Sequence, residues 1–342
     1  MTRVAIDFFG GDAGPEVVAD AIASYLNESG DDRVSLCIVG PRDQAEQLLR
    51  QRGVNLGDDT DAGRSHIMHA ELCVPMTASS HDTLALLRER EAVASNVGIR
   101  AVREGQADAF VSIGHTGATV AASVLSLGRL PSMGRPGLAV EIPSARGPVV
   151  LVDCGAAPFA TEHDLVRFAA CGLAYAEARG IKQPSVGLLS IGSERGKGDR
   201  LRKNTDIHLE QHFAERYVGA VEGHDLLGEC PADVVVVDGF TGNVALKSME
   251  GALRWSVAAM SNVYDDPEPA QGVLRTSHFL SGGVLLGVPG AVVVGHGAST
   301  RDEIVACINR AVELLDAAVV DRLRVALRGF SSLDARGEPE SV

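Results

Sequence analysis

Short apolar runs rich in β-branched residues alternate along the chain with longer stretches that repeat their apolar positions at helical spacing. RVAIDFF (3–9), VSLCIVG (34–40), DAFVSIG (108–114), GLAVEIP (137–143), PVVLVDCG (148–155), SVGLLSIG (185–192), ADVVVVDG (232–239) and GAVVVGHG (290–297) read as strands. Between them, residues 15–29, 43–53, 82–104, 116–128, 162–179, 241–260 and 300–327 read as helices, the third interrupted near 94–96. Pro15 stands in a first turn and Gly53 closes a helix, each where its backbone suits that end. The βαβα order predicts a three-layer αβα, Rossmann-like fold, with a mostly parallel sheet covered by helices on both faces. Residues 1–330 are expected as one α/β domain. The polar, acidic loop 55–66, an irregular Pro- and Gly-punctuated insertion at 261–283 and a polar tail at 331–342 break the pattern.

Charge and cysteine usage narrow the partners. The 342-residue chain carries 31 basic and 45 acidic residues, a formal charge of −14, which disfavours nucleic acid and leaves room for a small anion held by backbone N–H groups. No apolar run is long enough to cross a bilayer. The start, with Asp7 inside its first apolar run, lacks a signal-peptide core, so a cytoplasmic location is expected. Six scattered cysteines without a CxxC pair are expected to be reduced core thiols.

Candidate chemistry gathers where the strands end. FFGGD, SIGHTG, VDCGAA, SIGSERGKG, VDGFTGN and VGHGAS each place glycine and small polar residues after an apolar run. In a parallel sheet such ends converge, and the next helix offers free N–H groups to an anion. Asp7, Asp153 and Asp238 stand at strand ends, where an aspartate either works on substrate or caps and braces a loop. Lys197 sits in a glycine-rich loop suited to meeting phosphate. His115 and His296, each between glycines, suit an acid, base or oxyanion donor, or a hydrogen-bonded loop histidine. Lys247 follows Asn243 by one helical turn, so both can face one anion or an ordinary helix surface. GSERGKG (192–198) is one residue short of a P-loop and ends in Gly198 where Ser or Thr belongs, and no GxGxxG or GxSxG occurs. The histidines of HLEQH (208–212), with His66 and His69, match no metal-ligand spacing, so neither metal nor cofactor is expected.

Taken together, these stretches resemble the PlsX family, the phosphate acyltransferases of bacterial phospholipid synthesis. The resemblance rests on AIDFFGGDAGPE (5–16), VREGQADAFVSIGHTGA (102–118), GRLPSMGRPGLAVEIP (128–143), LVDCGA (151–156), VGLLSIGSERGKG (186–198), VEGHDL (221–226), ADVVVVDGFTGNVALKSMEG (232–251), GGVLLGVPG (282–290) and GHGAS (295–299). It implies a fold related to phosphotransacetylases and isopropylmalate dehydrogenase. It implies transfer of an acyl group from acyl carrier protein to inorganic phosphate, a homodimer and peripheral membrane association. On this reading Lys197, His115, Asp238 and Asn243 are the catalytic candidates. Asp7, Gly10, Gly11, Asp12, Gly114, Thr116, Gly117, Asp153, Gly155, Glu194, Gly198, Gly242, Lys247 and His296 bind substrate or phosphate. Phosphate is itself a nucleophile, so no enzyme nucleophile is required, and the apolar run before Cys154 marks it as a core thiol.

The departures from the family pattern are His115 for the usual Asn, the stretch 157–161, the bulky Phe8-Phe9, Ser193 and Arg195 in place of acidic positions, and the stretch 90–96. They leave acyl specificity open, along with a pathway-specific transfer from a specialised acyl carrier protein or from coenzyme A, or a non-catalytic carrier-binding role. Arg88, Arg90, Arg100, Arg103, Arg200, Arg202 and Lys203 are the candidate patch for an acidic carrier protein. The helix around 252–264 has one cation and is followed by acids, so only weak membrane contact is expected.

Overall fold

The structure is a computed structural model that describes residues 1–28, 32–56, 65–263, 272 and 282–330. Its strands are β1 (Thr2–Asp7), β2 (Val34–Gly40), β3 (Ser65–His69), β4 (Ala109–Ser112), β5 (Gly137–Ile142), β6 (Val149–Val152), β7 (Val186–Ser190), β8 (Tyr217–Glu222), β9 (Val234–Val236), β10 (Gly282–Leu286) and β11 (Ala291–Gly295). Its helices are α1 (Pro15–Glu28), α2 (Arg42–Gln51), α3 (Ser80–Glu89), α4 (Ala94–Arg103), α5 (Thr116–Ser126), α6 (Glu162–Ala178), α7 (Arg200–Phe213), α8 (Gly239–Val263), α9 (Arg301–Asp316) and α10 (Val319–Leu327). All eight strands read from the sequence are present. Sequence reading takes 1–330 as one domain, whereas the chain packs as two compact units, 1–128 with 288–317 and 129–287 with 318 onward.

In the first unit the strands run β3-β2-β1-β4-β11, every neighbouring pair parallel. Every residue of β2 and β4 is buried, as in strands covered on both faces. Gly98 lets α4 lie against Phe110 of β4, since a Cβ there would stand 2.2 Å from the ring. In the second unit β6-β9-β7-β8 are parallel, and β5 joins β6 and β10 by antiparallel pairing. Its core helix α6 opens with a reciprocal cap between Thr161 and Asp164 and is buried on nearly all sides, as its apolar composition requires. Gly172 brings α6 close to Val234 of β9, where a Cβ would stand 2.6 Å away.

Several boundaries differ from expectation. The 82–104 helix is two helices separated at 90–93, upstream of the expected interruption, with Asn96 donating from its side chain to the carbonyls of Leu87 and Arg90. The 300–327 helix breaks at Ala318, whose φ of 48° lies in the left-handed region. Ser65 and His66, expected in the acidic loop, open β3. Around the expected insertion, α8 continues to Val263 and Gly282 opens β10. Most of 264–281 and the tail 331–342 lie outside the described residues. Among those described, no helix is long and apolar enough to cross a membrane.

Candidate functional site

In the first unit, the parallel order of β1, β4 and β11 puts their C-terminal loops side by side. Asp7 ends β1 and is buried. Its Oδ1 accepts the N–H groups of Phe9 at 3.2 Å and Gly10 at 3.0 Å, so the carboxyl braces its own loop. Burial pushes its pKa up to about 6 against these N–H groups and the Ser112 hydroxyl. Gly10 lies so near the next loop that a Cβ would stand 2.6 Å from the Gly114 nitrogen. Asp12 N–H donates to Gly297 O at 2.7 Å, tying the β1 and β11 loops together. Gly11 turns at φ 98°, inside the left-handed region. Phe8 is fully buried, and Gly40 leaves the room that Phe9 occupies, so the bulky pair is absorbed by packing.

His115 caps α5. Its Nδ1 accepts from Ala118 N–H at 3.1 Å and its Nε2 lies 3.3 Å from Ala78 O, so the proton sits on Nε2 and both ring nitrogens serve the fold. Thr116 and Gly117 form the first turn of that helix. His296 is exposed, with Nδ1 accepting from Ala298 N–H at 3.1 Å.

In the second unit, the loops after β6, β9 and β7 lie together for the same reason. Asp153 is wholly buried, and its two oxygens accept from Leu138, Gly155, Ala156 and Ala157 N–H at 2.6–2.9 Å. Burial raises its pKa, opposed by those four donors. This is a loop brace. Gly155, at φ 130°, packs against Asn243, while Gly242 presses the first turn of α8 onto the Asp153 carbonyl: a Cβ there would stand 1.8 Å from that oxygen.

Asp238 lies between β9 and α8 and receives the Thr241 N–H at 3.0 Å, its hydroxyl, and the Arg202 guanidinium. Burial opposes its charge, but Thr241 and Arg202 outweigh burial and hold its pKa below the usual carboxylate range. Arg202 is in turn held by Asp199, which caps α7. Its side chain is only 11% exposed, so Arg202 drops out of the expected docking patch.

Lys197 sits in the loop between β7 and α7, half-exposed, with Nζ 3.0 Å from Glu194 Oε1, and that pairing lowers the Glu194 pKa. This loop edges a cavity of about 550 Å³ that also takes in Arg195, Lys203, Asp206, Glu210 and Tyr217. Most of its charges are already mutually paired, Arg195 with Glu210 and Asp206 with the Tyr217 hydroxyl. Lys247 is not joined to Asn243: it pairs with Glu250 at 3.0 Å, one turn further on. Among the described residues no three His, Cys, Asp or Glu side chains converge as metal ligands would.

With the loops in place, the comparisons decide the family. Residues 2–266 match the family described as fatty acid synthesis protein. The chain is 37% identical over 342 residues to a phosphate acyltransferase of Thermus thermophilus, covering 95% of this chain and 98% of that one. The chain belongs to the phosphate acyltransferase family. The fold of this phosphate acyltransferase family member is also that of a Streptococcus pyogenes phosphotransacetylase, at TM-score 0.58 and 16% identity over 92% of this chain and 94% of that one. A 4-hydroxythreonine-4-phosphate dehydrogenase from Klebsiella pneumoniae shares it at TM-score 0.55 and 10% identity, over 94% and 100%.

Sequence reading left Thr241 unnamed and placed Arg202 in the docking patch, whereas together they set the charge of Asp238. The signal for Thr241 was present: a hydroxyl residue three positions after a strand-end aspartate is a helix-start pattern. The tie of Arg202 to Asp238 gave none, because one arginine among several polar neighbours looks like any surface cation. Cys73 corrects the thiol expectation: it is exposed, while the other five cysteines are buried.

Proposed function

We propose that this member of the phosphate acyltransferase family moves an acyl group from an acyl carrier protein thioester to inorganic phosphate. A phosphate oxygen bonds to the thioester carbonyl carbon, the carbon–sulfur bond breaks, and the sulfur leaves with its electron pair and takes up a proton. The products are acyl phosphate and the free carrier thiol. The observation that supports direct attack is the state of the cysteines beside the loops. Cys154 is buried, and burial, with the Asp153 charge second, pushes its pKa well up. Cys73 is exposed as a residue, yet partial desolvation of its sulfur, and second the nearby Asp7 charge, push its pKa up as well. Neither supplies the thiolate that a covalent route needs at neutral pH. Phosphate has no such requirement. The protein then has to hold it, stabilise the tetrahedral oxyanion and help the thiolate leave.

Lys197 is the cation for this work, on a glycine-rich loop with Glu194 keeping its side chain directed. Asp238 and Asp153 serve by bracing Arg202, Thr241 and the β6 loop.

The reading is tested by incubating the protein with long-chain acyl-acyl carrier protein, with and without phosphate. Free thiol and hydroxylamine-trapped acyl phosphate are then measured. Thiol release should depend on phosphate and match acyl phosphate formed. Equal release without phosphate identifies a thioesterase. Binding without turnover identifies a carrier-binding protein, and turnover with acyl-coenzyme A alone moves the donor.

A further inference from the structure

A second cleft, of about 500 Å³, opens next to the Asp238 network in the second unit. Leu189, Ile191, Val244 and Ala245 give it aliphatic walls, and its polar side chains are Ser190, Asp199, Arg202 and Thr241, the last two partners of Asp238. Ile191 is 80% exposed, although it directly follows a buried strand and directly precedes the glycine-rich loop of Lys197. Val244, on the second turn of α8, is 52% exposed. Single exposed aliphatic residues are ordinary. Here two of them line one concavity, with two more aliphatic neighbours and a few polar groups, which is the composition of a small-molecule site.

We propose that this cleft is the subsite for the alkyl chain of the acyl donor, with the chain along Leu189, Ile191, Val244 and Ala245 and its carbonyl end on the Arg202–Thr241 side. The inference rests on the acyl-transfer reading. The occupant follows from the walls: the aliphatic side offers an alkyl chain methylene contact, and Asp199, Arg202 and Thr241 at the polar side are already bonded within the Asp238 network, which leaves few partners for the two amides of a carrier's pantetheine arm. Each methylene moved from water onto such walls is worth about fourfold in affinity, so donor preference climbs with chain length until the cleft is filled.

The test compares kcat/KM for hexadecanoyl- and octanoyl-acyl carrier protein with inorganic phosphate, using the full chain, Ile191→Asp and Val244→Trp. Both side chains are exposed, so the thermal unfolding midpoint should hold, and Val244→Ala is the milder check if the tryptophan variant does not fold. The hexadecanoyl-to-octanoyl ratio should fall by more than about tenfold in Ile191→Asp and Val244→Trp, and by a smaller factor in Val244→Ala. An active wild type whose ratio survives the substitutions overturns the subsite alone. So does an equal loss with both donors, which would give the cleft to the carrier arm. A wild type inactive with either donor overturns the acyl-transfer reading and the subsite with it.

Discussion

Lys197 and Asp7 show how differently a charged residue at a strand end can be used. Lys197 is half-exposed and, among the described residues, ion-paired with Glu194 alone, so its removal costs the fold little. Lys197→Ala should lower kcat/KM by more than about tenfold, the loss of roughly 1.4 kcal/mol of transition-state stabilisation, without moving the melting curve. Unchanged steady-state kinetics would return Lys197 to the solvated surface. Asp7 is the opposite case, buried and raised from 3.8 to about 6. The folded state therefore holds a proton that the unfolded chain has released. The stability this contributes is present below pH 3.8 and is lost as pH rises through about 6. Between about pH 4.5 and 7.5 the loss amounts to about 2 kcal/mol. Asp7→Asn cannot titrate, so urea unfolding of variant and wild type should diverge by that amount over the same interval. Parallel pH profiles would show that Asp7 ionises normally.

At the scale of elements, two of the three glycines of α8 have opposite duties. Gly242 is where the helix presses on the Asp153 carbonyl, and Gly251 has nothing within 4 Å of an added Cβ. Gly242→Ala should therefore destabilise by about 1–3 kcal/mol through overpacking, whereas Gly251→Ala should stabilise by up to about 1 kcal/mol through helix propensity. Chemical denaturation of both variants checks the pair, and equal signs would contradict the packing.

The same contrast explains what the sequence let one read. Strands such as β2 and β9 are buried on both faces and spell themselves out as unbroken apolar runs. β3 interleaves two histidines with apolar residues, β8 contains Gly219 at φ 93° beside a register shift, and β10 opens on two glycines, so none carries that signature. α7 buries only Thr205 and Leu209. So few buried positions leave no helical period to detect. The candidate site was legible as glycine loops at strand ends, because loop chemistry is local. The division of labour within it was not. Asp153 is a brace, His115 is a cap, and Arg202 reaches Asp238 across thirty-six positions, all of which depend on neighbours brought in by folding.

For the whole molecule, the far half of α8 leaves Trp255 and Val263 about three-quarters exposed. Apolar residues so displayed on one helix suit pairing with a second copy. Light scattering at micromolar concentration should give the mass of a dimer, and a monomer mass would contradict this. The first unit has a further property: it is closed by a distant part of the chain. Residues 1–128 leave β4 without the neighbour that β11 provides, and α9 follows later still. During synthesis the ribosome must release nearly the whole chain before that strand can be joined. Until then the nascent unit displays an open backbone edge beside strands that are buried in the finished fold, the kind of surface that recruits chaperones or other unfinished chains. Slow translation through the long intervening segment therefore lengthens a vulnerable interval, and expression yield should respond to chaperone supply more than to the stability of the finished protein.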